Sequence, residues 1–120
     1  LTWSQVKEKH ISLATSKTGR GRDVPLSKAA RRIIDMQSGF DDPLVFGLSA
    51  STRDALFRRA KTSAKVDGFT FHDARHTAAT RLAKSRVFDV LTLCKVFGWS
   101  DPKMAMVYFN PTAKDLADLL

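Results

Sequence analysis

The sequence predicts an α+β fold in which a small N-terminal antiparallel sheet or hairpin is followed by a mostly helical bundle. Two observations predict it. Apolar residues before position 27 fall in short runs separated by a glycine-containing basic segment, whereas later apolar residues recur with helical spacing. A chain of 120 residues is long enough for one domain. We therefore expect a single domain over 1–120, strand-rich over 1–26 and helical over 27–120.

The strand-rich part contains three short apolar runs, at Val6, Ile11–Leu13 and Val24–Leu26. Between the last two lies the segment 16–22, whose two glycines stand among polar and basic residues. Glycine adopts the backbone conformations that tight hairpin turns require. This part of the chain therefore predicts two antiparallel strands joined by a basic turn.

The helical part begins at Ser27, a suitable N-cap for a helix that reaches about Ser38 and ends at Gly39. Helical spacing predicts further elements from about Thr52 to Val66, over 72–85, over about 88–97, after Asp101-Pro102 and over 112–120. The last of these is an amphipathic helix with Ala113, Leu116, Ala117 and Leu120 in line. For the preceding elements, the apolar residues expected to pack inward are Ala30, Ile33, Ile34, Leu56, Phe57, Ala60, Ala64, Ala78, Ala79, Leu82, Ala83, Val87, Val90, Leu91, Cys94 and Phe97.

Composition excludes several classes of protein. Hydrophobic residues make up 43% and charged residues 27%, which is typical of a globular domain and unlike a disordered tail. No apolar run approaches the ~20 residues of a membrane-spanning helix, and the N-terminus does not resemble a signal peptide. The single cysteine, Cys94, excludes an intramolecular disulfide and a multi-cysteine zinc site. We therefore expect a cytoplasmic location and no membrane partner.

The net charge of +8 predicts a polyanionic partner. The excess is concentrated in residues 1–66, which carry 13 basic and 6 acidic side chains, whereas residues 67–120 carry 7 and 6. A solvated basic surface without a partner is the alternative interpretation.

The segment His72-Asp73-Ala74-Arg75-His76-Thr77 holds most of the candidate site chemistry. His72 and Arg75 are one helical turn apart on the same side, and Arg75 lies in line with the apolar stripe. A guanidinium that faces inward keeps its charge and needs an anionic partner. A protein carboxylate and a bound phosphate both satisfy that need, and the spacing alone does not distinguish them.

His72 and His76 also have the i, i+4 spacing of two zinc-binding histidines on a helix. Asp73 stands where a catalytic glutamate would be expected, and the cation Arg75 would oppose a divalent ion. A metal hydrolase is therefore the weaker interpretation of this helix.

Three further residues, Lys17, Trp99 and Tyr108, are weak signals individually. A lysine in a hairpin turn is usually solvated, and a tryptophan or a tyrosine after a helix usually packs against the core. Their order along the chain relative to the histidine and arginine helix is more informative.

In this order the residues resemble the catalytic domain of the tyrosine recombinases, the phage-integrase family. The resemblance covers nearly the whole chain and departs from the family where Trp99 and Gln5 replace the more common histidine and acidic residue. The matching segments are His72–Thr80 for the family's His-x-x-Arg helix, Phe97–Asp101 for its Leu-Gly-His-Ser motif, Met104–Tyr108 for the nucleophile segment, Leu1–Val6 for the start of the first strand and Thr15–Leu26 for the hairpin with the catalytic lysine.

The resemblance implies site-specific DNA recombination through a 3′-phosphotyrosyl intermediate, without a metal or another cofactor. Tyr108 would be the nucleophile, and Arg75 would bind the non-bridging oxygens of the scissile phosphate. His72 would donate to the phosphate or assist proton movement, and Lys17 would protonate the leaving 5′-oxygen. Trp99 would donate one indole hydrogen bond and support the geometry of the site, because an indole does not exchange protons.

The implied partners are double-stranded DNA at attachment sites and other protomers on that DNA, with helix 112–120 as a possible exchanged segment through Leu116, Leu119 and Leu120. The expected DNA-binding residues are Arg20, Arg22, Lys28, Arg31, Arg32, Arg58, Arg59 and Lys61. The same leucines would fit equally well against their own domain.

The resemblance further implies a bacterial or phage-encoded catalytic-domain fragment of a longer integrase. The family's first catalytic arginine belongs to a helix before the Leu1–Trp3 segment, so we expect the isolated chain to have little or no activity. The alternatives are a non-catalytic basic DNA-binding module, derived from a degenerate integrase, and a type IB topoisomerase-like enzyme.

Overall fold

The computed structural model describes residues 1–14, 19 and 21–120, which form two compact units, Leu1–Phe69 and Thr70–Leu120. Lys17, Arg20 and most of the predicted turn lie outside the described residues. The elements are a 3-10 helix at Trp3–Gln5, strands β1 (His10–Leu13) and β2 (Arg22–Pro25), and helices α1 (Lys28–Asp35), α2 (Ala50–Ala64), α3 (Asp73–Lys84), α4 (Val90–Phe97), α5 (Pro102–Met106) and α6 (Ala113–Ala117). Within the described residues, none of the helices is long and apolar enough to cross a membrane.

The first unit contains the predicted antiparallel pair of strands. β1 and β2 pair in a register that sets His10 opposite Pro25 and Leu13 opposite Arg22. An isolated bridge joins Val6 to Ile11, so all three apolar runs take part in extended pairing. An antiparallel hairpin followed, in the described residues, by six helices confirms the predicted α+β class.

The segment before Val6 forms a single 3-10 turn at Trp3–Gln5. The Gln5 side chain reaches back to accept a hydrogen bond of 2.9 Å from the Thr2 amide, which closes this turn. Thr2 also forms an isolated antiparallel bridge with Leu44. The indole Nε1 of Trp3 donates a hydrogen bond of 3.2 Å to the Asp41 carbonyl.

Helix α1 begins as predicted, because the Ser27 hydroxyl accepts a hydrogen bond from the Ala30 amide at 3.1 Å. It ends at Asp35, three residues before the expected end, and turns cover residues 36–40. Ile34 is buried, whereas Ile33 is more than half exposed, so only part of the predicted stripe packs against the unit.

Helix α2 begins at Ala50 because the Ser49 hydroxyl accepts from the Thr52 amide at 3.1 Å. The predicted burial of its apolar residues is wrong. In the described chain none of its residues is buried, and Leu56 is half exposed. Phe57 is partly covered and lies 6.1 Å from Phe69, centroid to centroid.

The second unit is built around a small apolar core. α3 contributes Ala79 and Ala83, α4 contributes its inner face, and α5 contributes Ala105, which is fully buried. The alanines let the helices approach closely, so the larger side chains of α4 can fill the centre. The core residues are Ala79, Ala83, Leu93, Cys94, Phe97 and Ala105.

The predicted stripe of α4 is partly wrong. Val87 is 77% exposed and Leu91 is 70% exposed, whereas Leu93 is fully buried. The helix begins after Asp89, whose carboxylate accepts from the Thr92 amide at 2.7 Å. Val87 therefore precedes the helix and does not share its periodicity, while the inner face consists of positions three, four and seven residues beyond Val90.

The ends of α4, α5 and α6 follow the predicted signals. Gly98 ends α4 with φ of 70°, a left-handed conformation that glycine adopts without a Cβ penalty. Asp101 and Pro102 begin α5, and Thr112 begins α6 with a capping box to Asp115. α6 is shorter than expected, and the residues of its predicted apolar stripe, Ala113, Leu116, Ala117 and Leu120, are all exposed.

Candidate active site

The candidate site lies within the second unit, where three elements bring charged and aromatic side chains together. His72 is the N-cap of α3, and Arg75 and His76 belong to its first turns. Trp99 follows the glycine that ends α4, and Tyr108 lies just after α5. The C-terminal ends of α4 and α5 therefore determine where Trp99 and Tyr108 lie.

The guanidinium of Arg75 faces inward, as the sequence predicted. Its Nη2 donates a hydrogen bond of 2.6 Å to the Phe97 carbonyl, at the end of α4. Its Cζ lies 5.0 Å from the centre of the Phe97 ring and 5.5 Å from that of Trp99. These contacts hold a permanent cation beside the aromatic rings.

The rings of Phe97, Trp99 and Tyr108 form a stack that starts in the core. Phe97 is buried, and its ring lies 4.9 Å from that of Trp99 at an angle of 16°. Trp99 lies 5.6 Å from Tyr108 with the planes only 5° apart. Stacking against a ring anchored in the core restricts the phenol without burying it, since Tyr108 remains partly exposed.

The hydroxyl of Tyr108 has a hydrogen-bond partner on α3. His76 Nδ1 and the Tyr108 Oη form this hydrogen bond, and the two ring centres are 6.1 Å apart. His72 packs edge-on against the His76 ring, with centres 4.9 Å apart and planes at 82°. The sequence predicts a role for His76 only in the weaker interpretation, as one of two metal-binding histidines. Its i, i+4 spacing from His72 was the available signal that it shares the same face of the helix.

The start of α3 is stabilised by hydrogen bonds between Thr70 and Asp73 in both directions, one of which runs from the Asp73 amide to the Thr70 hydroxyl at 3.2 Å. The Asp73 carboxylate accepts from the Thr70 amide at 2.7 Å and from the Thr70 hydroxyl at 2.8 Å. These bonds lower the pKa of Asp73, and the nearby His76 and His72 rings lower it further. A carboxylate that stays ionised therefore lies near both histidines.

The second unit thus contains four of the five predicted catalytic residues, His72, Arg75, Trp99 and Tyr108. Lys17 lies outside the described residues. Across residues 1–14, 19 and 21–120, no group of three or more potential metal-ligating side chains is found, so the two histidines lack further ligands there.

Residues 1–115 match the Phage integrase family. The chain belongs to this family. This integrase-family chain is 38% identical, over 126 aligned positions, to a Haemophilus influenzae protein named as a putative integrase/recombinase. It is 29% identical, over 122 aligned positions, to a shufflon-specific DNA recombinase of Escherichia coli. Both alignments cover the whole chain but only 40% and 32% of these relatives.

The fold of this integrase-family chain also matches a solved structure. The crystal structure of XerA recombinase superposes with a TM-score of 0.73 over 99% of this chain and 48% of XerA, at 19% sequence identity. The likeness at this identity establishes the shared fold.

The predicted DNA-binding residues belong to the first unit, and they differ in how exposed their side chains are to solvent. Lys28, Arg32, Arg58 and Arg59 are exposed, whereas Arg20 lies outside the described residues. Arg31 is held within the chain. Its guanidinium donates to the Asp35 carboxylate at 2.9 Å and to the Lys7 carbonyl at 2.7 Å.

Two further predicted DNA-binding residues are partly covered. Arg22 lies at the end of the β1–β2 pair, opposite Leu13. Lys61 extends over the Phe57 ring, with Nζ 6.0 Å from its centre. The alkyl stem of a lysine placed in this way covers apolar surface.

Proposed function

We propose that this chain is the catalytic part of a tyrosine site-specific recombinase, which cleaves and rejoins double-stranded DNA through Tyr108. The supporting observation is the position of the chain's one tyrosine. Its ring stacks on Trp99, its hydroxyl is hydrogen-bonded to His76, and the Arg75 guanidinium contacts the same Trp99 ring. A phenol with a nearby imidazole and a permanent cation is equipped to attack a phosphodiester.

In the proposed reaction the Tyr108 oxygen attacks the scissile phosphorus. The bond from phosphorus to the 5′-oxygen breaks, and a 3′-phosphotyrosyl bond forms with release of a 5′-hydroxyl. The energy of the phosphodiester is retained in the new ester, so rejoining to another strand needs no ATP. Arg75 would bind the non-bridging oxygens, because its planar fork can donate two hydrogen bonds to one phosphate.

The remaining catalytic roles follow the family resemblance. Lys17 would protonate the leaving 5′-oxygen, and His72 would donate to the phosphate or assist proton movement. Trp99 would hold Tyr108 by stacking and could donate its indole N–H to a phosphate oxygen. The stack supports a geometric role for Trp99, since its ring already packs against both Phe97 and Tyr108.

Basic residues of the first unit would bind the DNA backbone. Lys28, Arg32, Arg58 and Arg59 are exposed and so available to phosphates, while Arg22 and Lys61 would contribute from partly covered positions. Arg31 would act mainly within the chain, because a carboxylate and a carbonyl already accept its hydrogen bonds. A second protomer would associate through the C-terminal segment 112–120, where Leu116, Leu119 and Leu120 are exposed.

The decisive experiment uses the full-length gene product and a suicide DNA substrate that is nicked near the cleavage site. The wild-type protein should form a covalent adduct that survives denaturation, and Tyr108→Phe, which keeps the stacked ring, should form none. An adduct that persists in Tyr108→Phe would show that the nucleophile is another residue. Salt-sensitive DNA binding without an adduct from the wild-type protein would indicate a non-catalytic DNA-binding module instead.

A second arm tests recombination against supercoil relaxation alone. A substrate with paired recombination sites should give exchanged products with the wild-type protein. Relaxation without exchange on that substrate would identify a type IB topoisomerase-like activity.

A further inference from the structure

The histidine that contacts the candidate nucleophile is His76, which the family resemblance did not include in the active site. His76 Nδ1 is hydrogen-bonded to the Tyr108 hydroxyl, whereas the ring contact of His72 is with His76. The three side chains therefore form a series of contacts, in which His72 touches His76 and His76 touches Tyr108. Only one of the two imidazoles is hydrogen-bonded to the hydroxyl whose proton must leave.

We propose that His76 is the general base of the reaction, and that its Nδ1 accepts the Tyr108 proton as the phenol attacks DNA. His72 packs edge-on against the His76 ring and would help to hold it in place, so that of the two roles considered for His72 above, donation to the phosphate is the one that remains. The inference rests on the proposed function in one respect, namely that Tyr108 is the nucleophile.

The proton and electron balance of this step is complete. The Tyr108 O–H bond breaks, its proton moves to Nδ1, and His76 becomes an imidazolium while the phenolic oxygen forms its bond to phosphorus. The 5′-oxygen leaves with the electron pair of its phosphorus bond and takes a proton from Lys17. In rejoining, a 5′-hydroxyl attacks phosphorus, its proton goes to Lys17, and Tyr108 departs and recovers its proton from His76.

The surroundings of His76 suit this role. From its own helix, the ring faces His72 and the ionised Asp73, whose negative charge lies near the imidazolium that the step creates. From the segment after α5 it faces Tyr108, which the Trp99 stack keeps in a restricted orientation. Hydrogen bonds from Thr70 to Asp73 stabilise the turn of α3 that presents the ring.

The test compares two substitutions of His76, one that keeps a hydrogen-bonding group near the position of Nδ1 and one that removes the side chain. The amide of His76→Asn lies near the position of Nδ1 and can still hydrogen-bond Tyr108, but it does not accept a proton. His76→Ala removes the side chain. Rates of adduct formation on the nicked suicide substrate are measured in the full-length protein from pH 6 to 9, with His10→Asn in β1 as the matched histidine control.

We expect both His76 variants to form the adduct about 10²- to 10⁴-fold more slowly than the wild-type protein at neutral pH. Their rates should rise more steeply with pH than the wild-type rate, because hydroxide replaces the missing base. Added imidazole should restore part of the rate of His76→Ala. A wild-type rate in His76→Asn would overturn the inference, as would a loss that neither higher pH nor imidazole recovers.

A spectroscopic measurement tests the same inference without activity. NMR spectra of the ¹⁵N-labelled 120-residue chain report which ring nitrogen of neutral His76 carries the proton. We expect that proton on Nε2, and we expect the Nδ1 resonance to shift in Tyr108→Phe. A proton on Nδ1 would make His76 a donor to the phenol and would exclude the base role. These outcomes concern His76 alone, whereas an adduct formed by Tyr108→Phe would contradict the proposed function itself.

Discussion

The indole of Trp99 and the phenol of Tyr108 lie parallel, 5.6 Å apart between ring centres and 5° apart in orientation. Trp99 stacks in turn on Phe97, which is buried in the core of the second unit. The orientation of the proposed nucleophile is thus connected to the apolar core by two aromatic contacts. Offset parallel stacking of this kind contributes about 0.5–1.5 kcal/mol beyond the area that it buries.

Replacing Trp99 should separate its packing from its hydrogen-bonding capacity. Trp99→Phe keeps a ring against Tyr108 and removes the indole N–H, so we expect a small change in thermal stability and a modest loss of adduct formation. Trp99→Ala removes the ring and should cost about 2 kcal/mol of unfolding free energy, with a much larger loss of adduct. Chemical denaturation and the suicide substrate provide the two measurements. Equal losses of adduct from both variants would assign the role to the N–H rather than to the ring.

Arg75→Lys should reduce both stability and adduct formation. A lysine keeps the charge but cannot donate to the Phe97 carbonyl while also presenting a planar fork to a phosphate. We expect adduct formation to fall about 10²- to 10³-fold, as for loss of a donor to a developing charge. Arg81→Lys, an exposed position on the same helix, is the matched control. A fall of similar size in the control would mean that α3 is sensitive to arginine loss in general.

The sequence predicted the positions of helix ends in the second unit well, because caps are local signals. Asp101 and Pro102 begin α5, Gly98 ends α4 and Thr112 begins α6, each through a side chain or a backbone conformation within a few residues. These ends place Trp99 and Tyr108 near α3. The order of the motifs, through the family resemblance, predicted that these candidate residues lie together in this unit.

Burial was predicted less well, because it depends on which helix faces which. Leu91 and Val87 fit an apolar stripe in the sequence but are largely exposed, whereas Leu93 is fully buried. The hydrogen-bonding role of His76 was likewise not predictable, since it depends on Tyr108, 32 residues away, approaching the side of α3 that carries His76. Contacts between distant residues of this kind are not encoded by periodicity alone.

Leu93 and Leu91 form a direct test of that difference in burial. Leu93→Ala should destabilise the chain by about 3 kcal/mol, because it leaves a cavity among α3, α4 and α5. Leu91→Ala, two residues earlier on the same helix, should change stability by less than about 0.5 kcal/mol. Urea denaturation of the two variants measures both values. A similar loss from the two would show that Leu91 is covered in solution.

Asp89 should make stability depend on acid pH. Hydrogen bonds from the Thr92 amide and side chain lower its pKa in the folded chain. The ionised cap therefore contributes fully above the ordinary aspartate pKa of about 3.9, and its contribution disappears as pH falls through the lower folded value. Asp89→Asn keeps a capping side chain that does not titrate.

We accordingly expect the melting temperature of the wild-type chain to fall more steeply below pH 4 than that of Asp89→Asn, with a constant difference above pH 5. Asp115 and Asp73 have pKa values lowered in the same direction and provide parallel substitutions. Identical acid profiles for the wild-type chain and all three asparagine variants would contradict the assignment.

Arg58 and Arg59 test the assignment of the basic first unit to DNA. Each phosphate contact releases bound counterions, so its loss reduces the slope of log affinity against log salt by about 0.9. Arg58→Ala with Arg59→Ala should lower the slope for non-specific duplex DNA by up to about 1.8. Arg31→Ala should instead lower stability with little change in slope, because its guanidinium binds Asp35 and the Lys7 carbonyl. Lys103→Ala removes one charge at an exposed position on α5 and is the control for the loss of a single arginine charge. A slope reduction of about 0.9 in this variant would show that the effect follows net charge rather than the position of the arginines on α2.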